Sequence, residues 1–155
     1  MEKIIEGITV KTDLAKVMIT SVPDTPGSAS TLFSNLGEAG FNIETITQNS
    51  TAKNFCDITF TIKESEAEEV VDYIRNKLED FQTTDIITNK NIALITIYGE
   101  KIAKTPGVAG KIFSTVAEQK INIENITAGM TMISFVVPKD KSDNVVNAIK
   151  AKFEM

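Results

Sequence analysis

A short turn occurs twice in this chain, and its recurrence limits the architecture more than any other feature. Thr25-Pro26-Gly27 returns 80 positions later as Thr105-Pro106-Gly107, and at the same offset Ala29, Phe33, Ser34, Glu38, Asn42, Ile43, Glu44, Ile46 and Thr47 meet identical residues. Self-similarity of this length means one supersecondary unit used twice. With 155 residues available, each copy has about 75, too few to be comfortably stable alone, so the copies are expected to associate closely.

Composition removes several classes of function. The net charge is −5, with 16 basic against 21 acidic residues and Arg75 as the one arginine, which argues against a phosphate-backbone partner. An RNA-reading βαββαβ module is disfavoured further because Phe55 and Phe60 differ in parity along their strand, so they cannot stack bases side by side. There is no histidine, and without it the commonest general base and metal ligand are missing. No acid–base constellation stands out, so no catalytic residue, metal site or cofactor is assigned, and the chain is not expected to be an enzyme on its own. Cys56 is the single cysteine, the start Met1-Glu2-Lys3 lacks a signal-peptide pattern, and no apolar run is long enough for a membrane span. A cytoplasmic protein without a membrane or nucleic-acid partner is expected.

The pattern predicts two βαββαβ modules of an α+β, ferredoxin-like kind. Ala15 to Val22 reads as a strand, Thr25 as a helix N-cap with Pro26 in the first helical position, and Ala29, Leu32, Phe33 and Leu36 as the buried helix stripe up to a left-handed Gly40. Strands are predicted at Phe41 to Asn49 and Phe55 to Ile62, joined by a Ser50 to Asn54 loop. A helix follows over Glu64 to Asp80, then a strand over Thr83 to Thr88. The second copy repeats this with strands Ile92 to Tyr98, Ile121 to Thr127 and Met132 to Val137, a helix from Pro106, and a last helix carrying Val145, Val146, Ile149 and Phe153. Its hairpin is five residues shorter, because Ile133, Phe135 and Val137 match Ile58, Phe60 and Ile62 at an offset of 75.

The second copy ends one strand short, and Ile4 to Val10 is one strand more than the first copy needs. The N-terminal strand is therefore expected to complete the second sheet. The first module would span 14–89 and sit inside a second module made of 3–11 plus 91–155.

A tight turn opening a helix aims backbone N–H groups and the positive end of the helix dipole at whatever lies above it. Pro26 has no N–H, which leaves Gly27, Ser28 and Ala29 to hold a carboxylate, with Asp24 beside them for an ammonium group. Together they describe a free α-amino acid. The second turn has Lys104 in place of Asp24, so it is either structural or takes a less cationic ligand. Gln48 and Asn49 either finish a hairpin or read the ligand's polar groups. Asn42 and Asn122 either bond the local backbone or present it to a ligand. Cys56 alternates with core positions and reads as a buried structural thiol, and Glu64, Glu66, Glu68 and Glu69 read as a solvated helix face without metal-ligand spacing.

Val22-Pro23-Asp24-Thr25-Pro26-Gly27, Phe41-Asn42-Ile43, Gln48-Asn49 and Asp57-Ile58-Thr59-Phe60-Thr61 resemble the paired ACT domains in the regulatory region of aspartate kinase, as do Thr105-Pro106-Gly107-Val108-Ala109-Gly110-Lys111 and Ile121-Asn122-Ile123-Glu124. The resemblance covers nearly the whole chain. It implies feedback control by lysine or threonine, bound where one module's turn meets the other module's second strand, often across a dimer interface. Carried over by position, it nominates Asp24, Pro26, Gly27, Ser28, Ala29, Gln48 and Asn49, with Asn122 and Ile123 opposite. A second candidate site has Thr105, Pro106, Gly107, Val108 and Ala109 with Asn42 and Ile43. Where the family has a Ser-Glu-Ile-Lys-type stretch, this chain has Ala128-Gly129-Met130-Thr131-Met132, which leaves the choice of effector open.

The implied partners are the free amino acid, an aspartate kinase catalytic domain or subunit, and a second copy of the chain. The strand Ile92 to Tyr98 is apolar on both faces, so either another copy or the sister module covers it. Met1 stands immediately before the first regulatory strand, which fits a small regulatory subunit, part of a longer kinase, or a stand-alone ACT-domain sensor acting on another partner.

Overall fold

The structure, a computed structural model, describes residues 3–82 and 84–155. The chain runs β1 (Gly7–Lys11), β2 (Leu14–Pro23), α1 (Ser28–Glu38), β3 (Thr45–Ala52), β4 (Phe55–Lys63), α2 (Ala67–Lys77), β5 (Asp85–Asn89), β6 (Ala93–Tyr98), α3 (Val108–Glu118), β7 (Glu124–Ala128), β8 (Met132–Val137) and α4 (Ser142–Lys152). Two compact units result, Asp13–Lys90 and the residues through Thr12 together with Asn91–Met155. Each holds one antiparallel four-stranded sheet, in the order β3-β4-β2-β5 and β1-β6-β8-β7. These are two ferredoxin-like modules. The N-terminal strand β1 lies along β6, with Ile8 opposite Ile97 and Val10 opposite Ile95, and holds in its sheet the place that β5 holds in the other.

Strand alternation explains each core. In the Asp13–Lys90 unit, Val17, Ile19, Ile58, Phe60 and Ile62 are fully buried beneath Leu32 and Leu36 of α1 and Val70 and Ile74 of α2. The other unit matches it with Ile95, Ile97, Ile133 and Phe135 beneath Ile112, Val116, Val145 and Ile149. An edge-to-face aromatic pair is repeated as well: Phe33 on Phe60 at 5.5 Å and Phe113 on Phe135 at 5.7 Å. Such a pair adds about 0.5–1.5 kcal/mol beyond the area it buries.

Several element boundaries differ from the sequence expectation. The helix α1 starts at Ser28 and not at Pro26, and its N-cap is Gly27, not Thr25. The cause is the backbone at Gly27, whose φ of 97° lies in the left-handed region, and Gly107 repeats it at 87°. Phe41–Ile43 and Ile121–Ile123 are lead-ins and not strands, since β3 begins at Thr45 and β7 at Glu124. The β3–β4 hairpin is longer in strand and shorter in loop than expected, because β3 runs to Ala52. Glu64 to Asp80 is broken into a 3-10 turn, α2 and a second 3-10 turn, with Leu78 extended between the last two (φ −106°, ψ 97°). The last strand of the first module begins at Asp85; the expected start at Thr83 lies outside the described residues.

The end of α1 follows the expected rule. Gly40 is left-handed (φ 92°), its N–H donates to the Gly37 carbonyl and that of Phe41 to the Leu36 carbonyl. This is a Schellman closure. At the end of α3, Lys120 takes the same conformation with a side chain (φ 59°).

Candidate functional site

The first turn leaves β2 through a bulge. Ile19 pairs with Ile58 and Val22 with Cys56, so Thr20 and Ser21 together face Asp57, and Ser21 has a φ of 56°. The Ser21 N–H, out of register with the ladder, donates to Asp57 Oδ1 at 3.2 Å. A bulge of this kind re-aims the chain that follows it, here Pro23 and Asp24.

Asp24 is then fixed from the β3–β4 hairpin. Its N–H donates to the Asn54 carbonyl at 2.8 Å, and the Ser50 hydroxyl donates to Asp24 Oδ2 at 3.3 Å. The hairpin tip at Asn54 turns with a φ of 72°. Ser28 Oγ donates to the Pro23 carbonyl at 2.8 Å, so Thr25 Oγ1, 3.1 Å away, donates to Ser28 Oγ. These bonds close the turn on itself while leaving Asp24, Pro26 and Gly27 exposed.

Of the three amides expected as donors, that of Ser28 is turned onto the Thr25 carbonyl at 3.3 Å. Gly27 and Ala29 provide the remaining N–H groups at the opening of α1. Beneath the turn, Cys56 is fully buried. Burial pushes its thiol above the ordinary value of 9.0, and the nearby charges of Asp24 and then Asp57 add to the shift.

Gln48 and Asn49 lie inside β3 and do not end it; they are opposite Ile58 and Asp57. Cross-strand partners share a face, so Gln48 and Ser50 point to the helix-covered side and Asn49 to the other. The row that reaches Asp24 is that of Gln48 and Ser50. Ser50 and Asn54 were not among the residues nominated from sequence, although the five-residue surplus of this hairpin marked where the two copies diverge.

The second turn is built differently. Ile19 and Ile97 occupy matching places, opposite Ile58 and Ile133, so the strands correspond at an offset of 78 and the turns at 80. The two additional residues are taken up in a 3-10 turn, Ile102–Lys104, with Ile102 buried. Lys104 belongs to that turn and is exposed, so it has no backbone counterpart in Asp24. Val108, in the place of Ser28, is buried in the core, while Thr105, Pro106, Gly107 and Ala109 stay at the surface of α3's first turn. Asn42 and Asn122 are exposed, and Ile43 and Ile123 each pack on the core of their own module.

Residues 17–78 and 95–153 match the family model of the ACT domain. The chain belongs to the ACT domain family. Its relatives place it more narrowly: it is 29% identical over 154 residues to the aspartate kinase of Pseudomonas fluorescens, covering 99% of this chain and 37% of that protein, and 29% identical over 157 residues to the aspartokinase of Thermus thermophilus, covering 100% and 38%.

Among solved structures, the ligand-free regulatory subunit of aspartate kinase from Thermus thermophilus superposes with a TM-score of 0.88 at 28% identity, over 97% of this chain and 99% of that one. Aspartate kinase from Synechocystis gives 0.90 at 30% identity, over 99% of this chain and 27% of that one. The chain thus resembles the regulatory, tandem-ACT part of aspartate kinases. It spans about 37% of the length of such relatives, and their catalytic domain has no counterpart in these 155 residues. Among the described residues, no helix is long and apolar enough to cross a membrane.

Proposed function

We propose that this chain is the amino-acid-sensing part of an aspartate kinase, binding lysine or threonine to impose feedback inhibition on a catalytic domain or subunit. The observation that carries the reading is the first turn, where Asp24 is held by Ser50 and Asn54 beside the opening of α1. An ammonium group meets a fixed carboxylate there, and a carboxylate meets backbone N–H groups at the positive end of a helix. The match to a regulatory subunit along nearly its whole length supports the kinase as the output. A homodimer with Asn122 and Ile123 of one module facing the turn of another is the assembly that fits the proposal, acting in the cytoplasm.

A thermal-shift panel of the free amino acids tests the reading. A bound ligand at 100 times its dissociation constant adds about 2.7 kcal/mol of stability, so lysine or threonine should raise the melting temperature and most other amino acids should not. Identical melting curves across the panel would refute the sensor. A response to the effector that persists unchanged in Asp24→Ala would place binding elsewhere.

A further inference from the structure

A cleft of about 290 Å³ lies at the opposite end of α1 from the turn, between the helix's carbonyl terminus and one face of α2. Phe41 and Tyr73 line it, with their rings edge to face at 6.2 Å. Glu69, Asp72 and Asn76 line it from α2, at the three- and four-residue spacing that puts side chains on one helix face, and Lys77 lines it as well. The last turn of α1 carries no basic residue, so the negative end of that helix dipole faces the cleft with Lys77 of α2 as the single cation among the lining residues.

The second module serves as an internal control. α4 corresponds to α2 at an offset of 75 and the segment after α3 to that after α1 at 80. In that module the same backbone carries Ile121 for Phe41, Asn144 for Glu69, Asn147 for Asp72 and Ala148 for Tyr73. The fold therefore requires neither the two carboxylates nor the aromatic pair. An aromatic pair beside two carboxylates and one lysine, in a recess at a helix C-terminus, suits a cation with an apolar body, because the surplus of negative formal charge and the helix dipole favour positive charge and the rings offer apolar contact.

We propose that this cleft binds a small organic ammonium ion, independently of the amino-acid turn. Tyr73 and Tyr98 are the only tyrosines and the chain has no tryptophan, so in a Tyr98→Phe background the ultraviolet emission reports on Tyr73 alone. Putrescine and tetramethylammonium are the probes, titrated at constant ionic strength against sodium chloride. Neither has the α-carboxylate that the turn amides would hold.

The expected result is a saturable change in Tyr73 emission whose midpoint moves about tenfold or more upward in the Glu69→Asn, Asp72→Asn double variant. Those substitutions place in α2 the residues that α4 already carries, so the melting temperature should be retained. In Asp24→Asn the titration should be unchanged. A response no different from that to sodium, an unshifted midpoint in the double variant, or loss of the response in Asp24→Asn would each overturn the proposal.

Discussion

Asp24 separates the two turns chemically, and Ser50 separates them mechanically. A carboxylate on an exposed turn samples several rotamers unless something holds it; the Ser50 hydroxyl does so here, while the Asn54 carbonyl fixes the backbone N–H of the same residue. Ser50→Ala should therefore weaken the effector by about 0.5–1.5 kcal/mol in a calorimetric titration, with the folding stability unchanged to within about 0.5 kcal/mol. An equal loss in both would mean that Ser50 supports the hairpin and not the site. Cys56 gives a pH signature. Its thiol is raised in the folded state, by burial first and then by Asp24 and Asp57. The unfolded thiol loses its proton first, so the stability this group contributes is complete below about 9.0 and declines as pH rises toward the folded value. In Cys56→Ala that alkaline decline should be smaller in urea unfolding between neutral and alkaline pH.

At the level of elements, the two copies test each other. Gly40 and Lys120 close equivalent helices in the left-handed region, and only glycine adopts it without a Cβ clash. Lys120→Gly should stabilise the protein by about 0.5–1 kcal/mol and Gly40→Ala should destabilise it by about 1 kcal/mol, both read from urea midpoints. The same comparison shows what the sequence made legible. The alternation through Ile58, Phe60 and Ile62 and the stripe at Leu32 and Leu36 located strands and helices, because those signals come from the periodicity of burial itself. The missing strand of the second module was legible from a count of strands, and β1 fills it. The helix start was not legible: Thr-Pro-Gly reads as a cap and a first helical residue, and it is the left-handed φ of Gly27 that delays α1. Nor was Ser50, since its partnership with Asp24 spans a hairpin and a β-bulge at Ser21 that leave no periodic trace.

For the molecule as a whole, β1 ties the N-terminal segment to the Asn91–Met155 part of the chain. Ile5 is buried in that core, and a Cβ on Gly99 would collide with the Ile4 carbonyl. Gly99→Ala should therefore displace the N-terminal segment and destabilise its module. A 90–155 fragment, deprived of β1, should be unfolded by circular dichroism and recover structure on adding a peptide of residues 3–12. Effector binding at the first turn is tested by isothermal titration of lysine and threonine into the intact protein and two variants. One of these amino acids should bind the wild type, Asp24→Asn should weaken it about tenfold or more, and Lys104→Ala should leave it unchanged. Equal affinity in wild type and Asp24→Asn, or a loss confined to Lys104→Ala, would contradict binding at that turn.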